Sequence, residues 1–178
     1  MDIGVISVRY ARALLKSAME QQVSQQVYAE MQTVAKAFLE VPQLRPTIDN
    51  PMLAKSTKEQ LLITALGSNP SDLSKAFIAL VIREGRESMM LFIAHSYITL
   101  YRKEKNIIRG KLTTAARVSD ATEQKMRQMV ERKTSGTVEF ETEVNPELIG
   151  GFILEYDTFR MDASVKTKLA AILTELKK

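Results

Sequence analysis

The chain has 178 residues, with no Cys, no Trp and a single His, and its 25 Lys+Arg against 21 Asp+Glu leave a net charge of +4. Absent cysteine excludes a disulfide framework, thiolate zinc sites and a cysteine nucleophile, and one histidine excludes a histidine-rich metal site. A hydrophobic share of 45% with 26% charged residues fits a folded globular protein, and no apolar run reaches the ~18 residues of a membrane span.

The first 106 residues read as helix after helix. From Ser7 to about Gln22, Val8, Ala11, Leu15 and Ala18 recur at helical spacing, and Tyr10 and Leu14 add a neighbouring apolar face. That sector is wide for a helix with one neighbour. Val23, Val27, Met31, Val34, Phe38 and Val41 keep a second stripe in line until Pro42 stops it. Arg45, Pro46, Asn50 and Pro51 predict a broken connector with one short helical turn. Ser56 with Glu59 has capping-box spacing and predicts a helix through Leu66, ended by Gly67-Ser68-Asn69-Pro70. Ser71 or Asp72 caps the next helix, to about Glu84. Its middle, Ala76 to Ile82, is apolar all round and needs cover on more than one side. After Gly85, a helix with Met89, Met90, Ile93, Tyr97 and Leu100 runs to about Asn106.

The pattern changes at Ile107. Residues Ile107 to Ala116 read as a strand, and Ser119 or Asp120 caps a helix carrying Met126, Met129 and Val130, closed by Gly136. In Thr137 to Val144, Val138, Phe140, Thr142 and Val144 alternate with Glu139, Glu141 and Glu143. After the Asn145-Pro146 turn, Phe152, Leu154 and Tyr156 alternate again. Asp157-Thr158 falls at a hairpin turn, followed by Phe159 and Met161. Asp162 or Ser164 caps a last helix with Val165, Leu169, Ile172, Leu173 and Leu176 on one face. The fold class expected is mainly α with a small α+β part. A bundle of about six helices (1–106) precedes a small strand/helix domain (107–178).

The chain carries few residues in reactive patterns. His95 has no identifiable catalytic partner, so a structural or surface role is expected. Gly150-Gly151 precedes a strand and matches neither a dinucleotide fingerprint nor a phosphate loop; a bulge or close backbone approach is expected. Glu139, Glu141 and Glu143 have spacing that could serve a hard cation, but a solvated face, or pairing with Arg109 and Lys111, is the simpler reading. The nine methionines are read as core filling before an adaptable partner surface. The positive charge is even, 13 basic and 10 acidic residues up to 106 and 12 and 11 after it. Arg102, Lys103 and Lys105 suit a helix end, so no nucleic-acid partner is expected. The N-terminus, with Asp2 and no Arg/Ser-rich or secretory leader, predicts a bacterial cytoplasmic protein or a trimmed mature form.

Arg9-Tyr10-Ala11-Arg12-Ala13-Leu14 resembles the first helix of the delta subunit family of F-type ATP synthase, whose mitochondrial counterpart is the oligomycin-sensitivity-conferring protein. Gly150, Gly151 and Phe152, followed by Asp162-Ala163-Ser164-Val165 opening the last helix, resemble the family's most specific motif. Arg86 and the strand Gly110 to Ala115 fall in the family's order. Where many members place a basic residue and Gly-Asp at the hairpin, this chain has Glu155, Asp157 and Thr158, which leaves the turn type open. The resemblance implies a non-catalytic stator subunit without cofactor or metal, on the cytoplasmic face of a bacterial membrane and attached only through its complex. It implies alpha-subunit N-terminal helices bound by the helical domain and the end of the b-subunit stalk bound by the C-terminal domain (107–178), where the contact is expected in residues 150–178. The surplus apolar faces place the first contact at Tyr10, Ala13, Leu14, Phe77, Leu80 and Val81. The alternative is a helical RNA-binding protein of the antitermination type, marked by salt-sensitive RNA affinity.

Overall fold

The computed structural model describes residues 3–134, 136–156 and 158–176, and the side chains of all of these except 133 and 134. Asp2 and Asp157, which the sequence reading used for the leader and the hairpin turn, lie outside the described residues. The chain divides into two compact units, Met1–Lys103 and Glu104–Lys178. The fold class is the one expected, mainly α with a small α+β part.

The first unit holds α1 (Ile3–Glu20), α2 (Ser24–Glu40), the short α3 (Leu44–Asp49), α4 (Lys55–Ala65), α5 (Asp72–Arg83) and α6 (Met90–Glu104, extending one residue past the unit boundary). The middle of the α2 stripe goes to the core as its spacing requires, with Val27, Met31 and Val34 fully buried; Val23 and Phe38 are half-buried, and Val41, past the helix end, is exposed. On α1 the buried set is Ile6, Ala11, Leu14, Leu15 and Ala18; Val8, expected among them, is exposed. The wide apolar sector of α1 has only part of its arc covered, so one edge of the periodic stripe is left in water. The expected Ser56–Glu59 capping box does not form. Thr57 and Lys58 donate their backbone N–H groups to the Ala54 carbonyl, so α4 starts at Lys55 and Ser56 falls inside the first turn.

Two polar devices lock the bundle. Glu30 on α2 is buried and accepts from the Ser71 backbone N–H (2.6 Å), the Ser71 hydroxyl (2.8 Å) and the Ser74 hydroxyl. Ser71 caps α5 by accepting from Ser74 N–H at 3.3 Å. A carboxylate thus sits at the positive end of α5 and fixes where that helix begins. Lys58 is buried against Glu87 at 2.8 Å, tying α4 to the turn before α6. Burial alone would raise the Glu87 carboxyl, but the Lys58 hydrogen bond and charge outweigh it and hold the group low. Tyr97, its hydroxyl donating to Ser24 O and its pKa raised by burial, joins the ladder in which Tyr101 stacks on Tyr28 at 4.3 Å.

The second unit is a four-stranded sheet in the order β2-β1-β3-β4, built from β1 (Ile107–Thr114), β2 (Thr137–Val144), β3 (Phe152–Tyr156) and β4 (Phe159–Asp162). β1 and β2 are parallel, joined through α7 (Asp120–Thr134), while β3 and β4 add antiparallel neighbours. Leu112, Val138 and Leu154 form one sheet face under Val130 of α7. Met129, expected inside with Val130, is 38% exposed. The β2 alternation is real, but only Val138 is buried and Phe140 partly so. Thr142 and Val144 lie exposed at the strand end. Glu141 and Glu143 of β2 take the paired alternative. Arg109 bonds Glu141, and Lys111 bonds Glu143 at 2.6 Å across the β1–β2 pair. These contacts hold the Glu141 carboxyl low and raise the Lys111 ammonium.

Candidate functional site

The apolar surplus of α1 and α5 meets in one groove of about 540 Å³. Tyr10, Ala13 and Leu14 from α1 face Leu73, Ala76, Phe77 and Leu80 from α5, with Arg9 and Glu84 also at the lining. The Tyr10 and Phe77 rings meet edge-on, centroids 6.4 Å apart at 70°. Leu14 (2% exposed) and Phe77 (6%) form the floor, while Leu80 (36%) stands in the wall. Ala13 and Ala76 give the groove its depth, because a methyl fills little of the space between helices. Five of the six residues predicted for this site therefore share one trough. Val81 does not line it. It is fully buried, since one position past Leu80 turns a helix by about 100° and carries the side chain into the bundle. Ala76, which also lines the groove, lies four residues before Leu80 on the same stripe. The outward face of α1 continues past the groove with Val5, Val8, Arg9, Arg12 and Lys16. An open apolar trough between two helices with ionic rims has the shape and chemistry to hold a third amphipathic helix.

The glycine pair and the Asp-x-Ser-Val sequence form a single clamp in the second unit. Gly151 has φ +77°, and a Cβ there would lie 2.2 Å from the Ala163 carbonyl oxygen. A Cβ on Gly150 would meet Val165 Cγ2 at 3.0 Å. The backbones are pinned by Ala163 N–H donating to Phe152 O and Val165 N–H to Gly150 O, both at 2.9 Å. Asp162 Oδ1 then accepts from Ser164 N–H (2.9 Å) and Oδ2 from the Thr167 hydroxyl (2.9 Å), and buried Ser164 accepts from Thr167 N–H (3.2 Å). Asp162 and Ser164 thus cap the last helix, α8 (Val165–Leu176), together.

Hydrogen bonding from Ser164, with less from the Thr167 hydroxyl and from the charge of Arg160, holds the Asp162 carboxyl below its ordinary 3.8. A carboxyl depressed on folding stabilises above the unfolded pKa, and that contribution disappears as pH falls through the folded value. Acid titration of unfolding below about pH 4 is expected to be shallower in Asp162→Asn than in the parent. An identical acid limb in the two proteins would remove Asp162 from this role.

What the clamp positions is α8, and α8 buries none of its residues. Val165, Leu169, Ile172, Leu173 and Leu176 are 37–78% exposed. The face that the sequence marks as apolar is presented outward.

The family model described as ATP synthase delta (OSCP) subunit matches residues 6–176. The chain belongs to that family. The "ATP synthase subunit delta" of Phocaeicola vulgatus is 45% identical to it, over 97% of this chain and 94% of that protein. The one from Parabacteroides distasonis is 42% identical over 99% and 98%. A chain of the Toxoplasma gondii mitochondrial ATP synthase hexamer, solved by cryo-electron microscopy, shares the fold. Its TM-score is 0.65, at 22% identity and 97% coverage of each chain. A member of the delta/OSCP family is a non-catalytic peripheral-stalk component of the F-type ATP synthase. It contributes to proton-driven ATP synthesis by linking parts, not by chemistry. The RNA-binding alternative gives way to this membership. The complex is membrane-associated. No helix among the described residues is long and apolar enough to cross a membrane.

Proposed function

We propose that the α1/α5 groove receives an N-terminal helix of the alpha subunit, and that the face of α8, within residues 150–178, holds the end of the b-subunit stalk. In this reading residues 1–106 grip the catalytic head and residues 107–178 grip the stalk, at the cytoplasmic face of a bacterial membrane. The observation that carries it is the groove itself, five predicted residues from two helices joined in one open apolar trough. A central rotor drives torque through the head, so a stator contact must resist displacement over a broad surface. Two helical docking faces meet that need without any reactive group.

The decisive variant is Leu80→Asp, because Leu80 is in the wall and already partly solvated. Its affinity for an alpha N-terminal peptide is expected to fall at least about tenfold, with the circular dichroism of the fold unchanged. Unchanged affinity in that folded variant would refute the groove assignment. Leu14→Asp is a different experiment. Leu14 is 2% exposed, so a carboxylate there loses its hydration and the bundle itself is destabilised. The same readout applied to the stalk face uses Leu169→Asp, which is expected to weaken b-subunit binding and leave the alpha peptide untouched.

A further inference from the structure

Ile149 stands between the 3-10 turn Pro146–Leu148 and Gly150 with φ +66° and ψ −40°. A positive φ is rare outside glycine, and for a β-branched side chain it is an outlier; with negative ψ it approaches a strained γ-turn. Among the described residues, the other non-glycine positive φ values fall on Gln22 and Asn106, unbranched residues just past helix ends. Ile149 gains nothing visible from its strain, since it is 66% exposed. Strain of this kind persists where the surrounding structure over-determines it and marks a place to look for function.

The surroundings are the clamp. Gly150 O accepts from Val165 N–H, and Gly150 abuts the Val165 side chain, so Ile149 is held one residue from the start of α8. There the exposed stripe begins. Val165, Leu169, Ile172 and Leu176 follow steps of four, three and four, the seam of a two-helix coiled coil. A second amphipathic helix fits such a seam. Flanking positions carry Lys166, which pairs with Glu147 at 3.5 Å, and Lys168 early, and Glu175 late. Lys168 and Glu175 therefore suit a partner helix with an acidic residue toward the start of α8 and a basic one toward its end. A twelve-residue helix offers a short seam, and an apolar residue just beyond its start lengthens the contact.

We propose that Ile149 is an anchor of the α8 docking face, its strained backbone retained because the side chain packs on the stalk helix that α8 receives. The inference rests on the stalk reading above. It predicts an inversion of the usual order, in which removing an apolar side chain leaves the isolated fold no weaker while loosening its complex. The test uses the full chain and the water-soluble part of the b subunit, with Ile149→Gly and Ile149→Asn, two residues that accept positive φ. Both are expected to melt at or above the parent temperature and to bind about tenfold more weakly. Parent-like affinity in both, while Leu169→Asp abolishes binding, overturns the anchor and spares the stalk reading. Parent-like affinity in Leu169→Asp as well overturns the stalk reading. A lower melting temperature in both variants makes Ile149 a packing residue and overturns the anchor. A parent dimer that Leu169→Asp dissolves makes the face a self-contact, which overturns both.

Discussion

Gly151→Ala is expected to destabilise the second unit by more than about 3 kcal/mol, enough to cost b-subunit binding altogether. Two effects add. The backbone sits at φ +77°, which a side chain resists, and the new Cβ would lie 2.2 Å from Ala163 O and 3.1 Å from both Ala163 C and Ser164 Cα. Those neighbours are main chain, so no rotamer change relieves the overlap. They are also held by the Ala163–Phe152 and Val165–Gly150 hydrogen bonds, so relief means opening the clamp that starts α8. Thermal melts with alpha-peptide and b-subunit binding measured side by side check it. The alpha peptide should bind as to the parent while b binding disappears. A Gly151→Ala protein with parent stability would mean that the close approach is not what holds α8.

Glu30→Ala is expected to cost the first unit about 3–5 kcal/mol. One buried carboxylate accepts from a backbone N–H and two hydroxyls at the start of α5. Truncation leaves the Ser71 N–H without its acceptor in a site closed to water, and removes a negative charge from a helix N-terminus. Glu30→Gln keeps one oxygen acceptor but turns the other into a donor facing hydroxyls, so a smaller loss is expected. Four of the five tyrosines lie in this unit (Tyr10, Tyr28, Tyr97 and Tyr101), so tyrosine fluorescence during urea unfolding reports it directly. Because Glu30 sets where α5 begins, alpha-peptide affinity should fall together with stability. A parent-like urea midpoint in Glu30→Ala would show that the serines cap α5 unaided.

Much of the local structure was legible because it depends on near neighbours in the chain. The α2 stripe, the stop at Pro42, the β2 limits Thr137–Val144 and the Ser71 cap follow from side-chain period, a missing N–H and short-range hydrogen bonding. The miss at Ser56–Glu59 has the same origin turned round. Two residues at capping spacing are a possible cap, and the backbone closed its first turn earlier, on Ala54. Glu30 carried no signal, since its partners are 41 and 44 residues away. Ile149 was equally silent, because nothing in Leu-Ile-Gly-Gly says that the isoleucine, and not only a glycine, adopts positive φ.

The site divides along the same line. Periodicity fixed that α1 and α5 have more apolar arc than one contact consumes, and that α8 has a stripe. It could not say which edge of each arc stays open. Val8 was expected inside and is exposed, and Val81 was expected at the groove and is buried, because a helix records the angles between its own side chains but not the direction of its neighbours. The order of elements, their faces and the family motif can be read from local patterning alone. That Tyr10 meets Phe77 across a groove, that the glycine pair and Asp162–Val165 are halves of one clamp, and that α8 turns its apolar face outward emerge with folding. Those outcomes are set by contacts between residues distant in the chain, where packing and close backbone approach select among arrangements that local patterning leaves equal.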